Sequence, residues 1–250
     1  MVWNLFPTIS APMPLQMALD ELLFIAQKKD SQDPVLRFYV ASSPWISTGY
    51  SFRGEADLSK SALILKYPNV PTCRRVTGGG CVLHGEDLIF SLIARYADGS
   101  LVSPLSKRED RGDFLNPLRS PLVKGEGALS AVRTSYAKIH ESVRLGLQAC
   151  GLDPKFYSGQ EELPKGNDCF DFPVESDLSW KGKKIAGGAQ KRSEGVLLHH
   201  ESILIPDNVE RDALIRAVCQ GMEQVFGVSI RNVGLDPGLY FQAEKGISGK

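Results

Sequence analysis

The sequence has no surplus of charge of either sign: Lys+Arg and Asp+Glu each number 29 in 250 residues. No field of the whole chain therefore recruits nucleic acid or an anionic membrane, although a local basic cluster can still hold a phosphate. No apolar run approaches the roughly 20 residues a membrane helix needs. The opening MVWNLFPTIS has neither the basic stretch nor the long apolar core of a secretory signal, so the expected location is cytoplasmic. The five cysteines, Cys73, Cys81, Cys150, Cys169 and Cys219, are odd in number and never spaced CxxC. That argues against a disulfide framework or a structural zinc site and suits a reducing compartment.

What is present reads as an ordinary globular chain. Apolar residues make up 42% and charged residues 23%, enough to bury a sizeable core in one domain spanning 1–250. Leu15, Ala18, Leu19, Leu22, Leu23 and Ala26 recur at helical spacing, with Pro14 suited to a first turn, so a helix is expected from Pro14 to Lys29. Val35–Tyr39 and Trp45–Gly49 read as strands parted by Ser42, Ser43 and Pro44. Leu58–Leu65 reads as a short helix, and Arg74–Val76 and Leu88–Tyr96 as extended runs. Residues 98–127, rich in turn formers, read as a surface insertion. A long helix from Leu129 to Cys150 stops at Gly151. Short strands follow around Phe156, Asp177–Trp180, Lys184–Gln190 and Val196–Ile205, and Val209–Phe226 is a closing amphipathic helix. The order lacks regular βαβ alternation, so the expected class is α+β, a central mixed or antiparallel sheet flanked by helices.

Two segments carry chemistry. The first is Arg74-Arg75-Val76-Thr77-Gly78-Gly79-Gly80-Cys81-Val82-Leu83-His84. Successive glycines lose much backbone entropy on folding and mark places where something approaches the main chain closely. Their N–H groups can cradle a phosphate or carbonyl oxygen, and the paired arginines can hold an anion. The segment matches neither GxGxxG nor GxxxxGK[ST], which removes support from nicotinamide and P-loop readings.

The second runs from Cys169-Phe170-Asp171-Phe172-Pro173 through Asp177 and Lys181-Gly182-Lys183-Lys184-Ile185-Ala186-Gly187-Gly188-Ala189-Gln190 to His199-His200. Trp180–Lys184 reads as a tight hairpin that returns Asp177 to Lys184. On an extended strand Lys184 would share a face with Ala186. The small residues from Ala186 to Ala189 leave room for a flat ligand or an acyl chain. His199 and His200, adjacent on a strand, face opposite sides and cannot grip one ion, so no metal site is expected.

Together these segments resemble the lipoate branch of the biotin/lipoate protein ligase superfamily. RRVTGGGCVLH stands for its RR-x-[ST]-GG-x-x-V-x-H, GKKIAGGAQ for GxK-[IV]-x-G-x-A-Q, and LLHHESIL for an HG-type strand. Met17–Glu21 and Leu36–Tyr39 resemble the family's first helix and strand. The resemblance implies that family's catalytic-domain fold. It also implies an acyl- or adenylate-binding wall of Arg75, Thr77, Gly78, Gly79, Gly80, Val82, His84, Asp177, Gly187, Ala189 and His200. The implied acceptor is the lysine of a lipoyl carrier domain, in a 2-oxoacid dehydrogenase E2 or the glycine cleavage H protein. No nucleic acid or membrane partner is implied.

Two chemistries divide that branch. Ligases spend ATP, with Mg, on an acyl-adenylate; transferases take an acyl thioester from an acyl carrier protein, hold it on a cysteine and need no cofactor. A Cys-Phe-x-x-Pro segment fifteen residues before the lysine resembles the transferases, which casts Cys169 as nucleophile and Lys184 as its activator. A neighbouring ammonium favours thiolate, and exchange between thioesters is close to isoenergetic. The triglycine resembles the ligases; His84-Gly85-Glu86-Asp87-Leu88 leans back to the transferases. Pro206–Lys250 leaves room for one helix and little more, so no C-terminal accessory domain is expected. The favoured reading is an octanoyl or lipoyl transferase. The alternatives are a lipoate–protein ligase acting through lipoyl-AMP and a non-catalytic acyl- or carrier-binding homologue.

Overall fold

The protein is represented by a computed structural model. It describes residues 1–30, 32–52, 61–97, 100–101, 126–157 and 176–248, with the backbone alone over 126–131. Cys169 and most of the expected 98–127 insertion lie outside the described residues.

The main sheet has nine strands, eight of them in the order β12-β1-β2-β6-β11-β10-β9-β8, with β7 paired to β6. In chain order these are β1 (Val2–Ala11), β2 (Val35–Ala41), β6 (Asp87–Ala97), β7 (Ser100–Leu101), β8 (Lys155–Phe156), β9 (Leu178–Trp180), β10 (Lys183–Ser193), β11 (Val196–Leu204) and β12 (Ser229–Asn232). β1 pairs parallel with β2 and β12, whereas the β2–β6–β11–β10–β9–β8 run is antiparallel. A second sheet of three strands holds β3 (Trp45–Thr48) between β4 (Thr72–Arg74) and β5 (Val82–His84). The α+β class and mixed sheet expected from the sequence are thus observed. The helices are α1 (Met13–Lys29), α2 (Ala62–Lys66), α3 (Glu126–Ala149), α4 (Arg211–Phe226) and α5 (Pro237–Ser248).

The period of two in a strand decides which side chains go where. On β2, Leu36, Phe38 and Val40 join Phe90 and Leu92 of β6 under Ile139 and Val143 of α3 and Leu214 and Val218 of α4. The alternate residues of the same strands turn the other way, where Val35 and Ile93 meet Leu23 and Phe24 of α1. Both faces of the central strands are therefore buried, which is why β2 reads as a continuous apolar run broken by Arg37. Helix α5 closes on α1 through Ala243 against Leu15 and Leu19.

Local chemistry sets the ends of these elements. Lys28 and Lys29 complement the carbonyl end of α1. The Glu210 carboxylate accepts from the Asp212 and Ala213 amides at 3.0 and 2.6 Å, and Gly227, at φ 63°, ends α4 in the left-handed conformation. Hairpin β9–β10 turns through Lys181 and Gly182 at φ 50° and 72°, the geometry of a two-residue turn that matches strand twist.

Three features depart from the sequence reading. Strand β1 and the closing β12–α5 unit were not expected: β1 shows no clean alternation, its residues being a mixture of exposed, half-buried and buried. Pro206–Lys250 accordingly holds two helices and a strand rather than one helix. Lys184 does not share the face of Ala186, because a β-bulge shifts the register between them: Lys184 pairs Ser179 while Ala186 pairs Leu178. One extra residue exchanges the two faces of a strand, so Ala186 enters the core and Lys184 turns to the cleft.

Helices α3 and α4 cross at two glycines. A Cβ on Gly221 would stand 2.3 Å from the Ser142 carbonyl oxygen, and one on Gly146 would stand 2.7 Å from Val218. Gly221→Val should therefore force the pair apart and cost about 1–3 kcal/mol, read as a lower urea midpoint with an unchanged m-value.

Candidate active site

A cleft enclosing roughly 530 Å³, open solvent at its mouth included, lies between the α1-side face of the main sheet and the three-stranded sheet. Met13 and Met17 of α1, Ile89 of β6 and Val82 of β5 give it an apolar lining. Its polar rim comes from Ser47, Arg75, His84, Lys184, His200 and Ser202. Of the expected site residues, Arg75, Gly79, Val82, His84, Lys184, Gly187, Ala189 and His200 line this one cleft. Thr77, Gly78, Gly80 and Asp177 do not line it but are bonded to His200, Arg75 and Lys184, which do.

Lys184 is brought there by the hairpin. Its Nζ lies 2.7 Å from Asp177 Oδ2, and the two side chains are 7% and 1% exposed. The expected return of Asp177 to Lys184 is therefore observed, and the pairing is what allows an ammonium to sit with so little water. Gly187 leaves the space the lysine occupies, since a Cβ there would meet Lys184 Cε at 2.2 Å.

The triglycine loop is held by Arg75 rather than left as a flexible turn. Its guanidinium donates to the carbonyls of Gly78 (2.8 Å) and Gly80 (2.9 Å), and to Ser47 Oγ (3.0 Å) and the Ser47 carbonyl. Arg75 is thus committed to shaping the loop, whereas Arg74 lies over the exposed Tyr50 ring at 4.8 Å. Gly79 takes φ 90°, and a Cβ on Gly49 would stand 1.9 Å from the Gly79 oxygen, so the loop is pressed against the end of β3.

Two polar networks that the sequence did not reveal brace the wall. In one, His84 Nε2 meets Ser47 Oγ at 2.8 Å and its Nδ1 meets Asp87 Oδ2 at 2.7 Å. The order Ser–His–Asp is that of a hydrolase, yet Ser47 Oγ also accepts from Arg75, which ties down its lone pair. The arrangement braces β3 against β5 and β6. In the other, Thr77 Oγ1 meets His200 Nδ1 at 3.0 Å, and His200 Nε2 lies 3.2 Å from Asp20 Oδ2, poorly aligned for a hydrogen bond. Asp20, fully buried on α1, also takes Arg37, Tyr39 (2.9 Å) and Ser91 (2.6 Å). Burial alone would raise its carboxyl, but the Arg37 charge, His200 and the Ser91 hydroxyl hold it down at about 2. Helical spacing points to an apolar stripe on α1 and offers no sign of a buried aspartate within it.

His199 and His200 do face opposite sides, as a strand requires. His199 joins Glu201 and His140 of α3 on the far face, a cluster of possible ligand atoms that the sequence reading did not assemble. The Glu201 carboxyl, fully buried, is likewise held at about 2 by His140 and His199 against the opposing effect of burial.

Among the described cysteines, burial pushes the Cys73 and Cys219 thiols up to about 12 and raises Cys150 as well. These are poor sources of thiolate at neutral pH.

The carboxyls set a pH window. Asp20 and Glu201 fall from 3.8 and 4.5 to about 2 on folding, so the stability each contributes is complete above its unfolded value. It is lost as pH drops from about 4.5 toward 2. Denaturation midpoints measured across pH 7 to 2.5 should begin to fall below about 6.5, where the buried neutral His199 opposes protonation, and fall further below about 4.5 as the two carboxyls lose their contribution. Asp20→Asn, which strands the Arg37 charge, should cost about 3–5 kcal/mol at pH 7.

Comparison with known proteins agrees with this geometry. The Lipoyl protein ligase A/B catalytic domain family matches residues 12–118 and 115–227. Octanoyltransferase LipM of Moorella thermoacetica is 30% identical over 209 residues, 82% of this chain and 66% of that protein. The LipM of an Exiguobacterium species is 32% identical over 219 residues, 85% and 68% of the two chains. The chain thus spans about two thirds of the length of these relatives. Protein Ta0514 of T. acidophilum, solved with bound lipoic acid, superimposes with a TM-score of 0.71 at 19% identity, over 100% of this chain and 95% of that one. The fold, the lysine hairpin and the braced triglycine loop therefore have one common explanation: the chain belongs to the lipoyl protein ligase A/B catalytic domain family.

Proposed function

We propose that this chain transfers an octanoyl or lipoyl group from an acyl thioester, through Cys169, to a lysine of a lipoyl carrier domain. The observation that carries the reading is the Lys184 ammonium, held by Asp177 at the wall of an apolar cleft. Curated relatives named as octanoyltransferases support the same chemistry. Cys169 lies outside the described residues, and its role rests on its spacing from Lys184 in the sequence.

In the first step the Cys169 thiolate attacks the thioester carbonyl. Lys184 stabilises the tetrahedral oxyanion as it forms, and the carrier thiol leaves as the C–S bond breaks, taking up the proton given up by Cys169. In the second step the neutral amine of the acceptor lysine attacks the acyl-cysteine. Its proton passes to the departing Cys169 sulfur, leaving an amide on the carrier domain. One thioester is exchanged for another and then for a more stable amide, so neither step calls for a nucleotide. The apolar lining from Met13, Met17, Val82 and Ile89 suits a medium-length acyl chain. An acyl carrier protein as donor and an E2 or H-protein domain as acceptor complete the reading.

Incubation with octanoyl carrier protein should raise the mass of the enzyme by one octanoyl group, labile to hydroxylamine. Cys169→Ser should abolish the labile adduct, and Lys184→Ala should slow its formation by about 10²–10³-fold. A requirement for ATP and free lipoate, with Cys169→Ala still active, would replace this reading with the ligase.

A further inference from the structure

The buried cluster on the α3 side of β11 has no part in the steps above. His140 Nδ1 lies 2.5 Å from the Ser176 carbonyl oxygen, and its Nε2 lies 3.0 Å from Glu201 Oε2. A carbonyl and an ionised carboxylate can only accept, so both ring nitrogens must donate and the ring must carry a proton on each. His199 resolves differently. Arg192 donates to Gln190 Oε1, so the Gln190 amide nitrogen faces His199 Nδ1 at 3.2 Å. His199 Nδ1 therefore accepts, and His199 Nε2 bears the proton donated to Glu201 Oε2 at 2.7 Å. His199 is neutral, and the nitrogen it turns to the cluster is occupied by hydrogen. The donor pattern thus fits a hydrogen-bonded ion pair better than a metal centre.

The backbone shows what the pair holds. Ser176 takes φ 88°, a conformation an L side chain rarely adopts. Asp177 follows immediately and grips Lys184. The groups facing His140 are Glu201 and His199 from β11, Asp177 just before β9 and the Tyr136 ring of α3, whose centroid is 5.7 Å away; Arg192, from β10, is engaged with Ser135 and Gln190. On the same face as this cluster, a Cβ on Gly188 would stand 2.3 Å from Glu201 Oε2. We propose that His140 is a positioning residue: as a buried imidazolium anchored by Glu201, it clamps the strained Ser176 carbonyl and so fixes Asp177 and the Lys184 ammonium in the cleft. The Glu201 and Asp177 charges also raise the histidine's pKa against the opposing effect of burial. The hydrogen-bond geometry puts the clamp in place, and it is lost as pH rises through that raised value.

The catalytic consequence rests on the transferase reading; the ring chemistry does not, so the test has two arms. In long-range ¹H–¹⁵N spectra of the intact protein at pH 7.5, His140 should show two protonated ring nitrogens and His199 a single protonated Nε2. A neutral His140, or stoichiometric zinc bound by the wild type and lost in Glu201→Gln, would overturn the proposal even if no acyl transfer were ever seen. In the acyl-transfer assay, His140→Gln should lower kcat by tenfold or more with KM for the octanoyl carrier changed less than twofold. Adding Ser176→Gly, which removes the strain, should recover part of that loss. A His140→Gln enzyme with wild-type kcat, or a folded double variant with no recovery, would also overturn it. Should His140→Gln fail to fold, the spectra of the wild type still decide. If the spectra behave as expected but no acyl group is transferred by the wild type, the failure belongs to the transferase reading.

Discussion

The site depends on keeping a lysine charged where water scarcely reaches it. An isolated ammonium in such a place would give up its proton or leave. Asp177, 2.7 Å away, removes that alternative, and it can do so only because the Lys181–Gly182 turn folds β9 back on β10 at this register. The bulge between Lys184 and Ala186 then decides which way the lysine points. A regular strand would have put Lys184 on the face of Ala186, which packs in the hydrophobic core under α3 and α4.

The same economy of contacts explains why the cleft wall is rigid. The triglycine loop would be the most mobile part of the site if it depended on glycine alone. Instead Arg75 satisfies two of its carbonyls from within, Thr77 ties it to His200, and His200 leads to Asp20 beneath the sheet. The buried charges on this face are compensated pairwise: Arg37 with Asp20, and Lys184 with Asp177. On the opposite face His140 stands with Glu201. Removing one member of a pair costs more than the pair contributes, because the partner is left charged in a dry place. That asymmetry makes the wall hard to deform by small displacements and sensitive to single substitutions.

Much of the fold was legible because its signals are local. The helical spacing from Leu15 to Ala26, the glycine after α3 and the two-residue turn at Lys181–Gly182 each act through neighbouring residues. Strand β1 was not legible, since its irregular burial reflects parallel partners distant in sequence, β2 and β12. The cleft residues in the glycine loop and on β10 were legible because small residues and cations stand out against their apolar flanks. Asp20, Arg37, His140 and Glu201 did not stand out. Nothing in their immediate sequence marks them as paired, and their meaning appears only when strands and helices from separate parts of the chain bring each partner within 3 Å.

The two histidines of β11 show how far a single strand rule can carry. Alternation requires that His199 and His200 face opposite sides, and they do: one meets Glu201, the other Thr77. That much excludes a shared ion between them. It does not follow that either face lacks a cluster, because α3 delivers His140 from another part of the chain. What separates a metal site from an ion pair is then the hydrogen-bond direction around each ring. Arg192 fixes the Gln190 amide, Gln190 fixes the His199 tautomer, and the Ser176 carbonyl fixes that of His140. Three residues with no direct access to the cleft thus set the charge state of the wall behind Lys184.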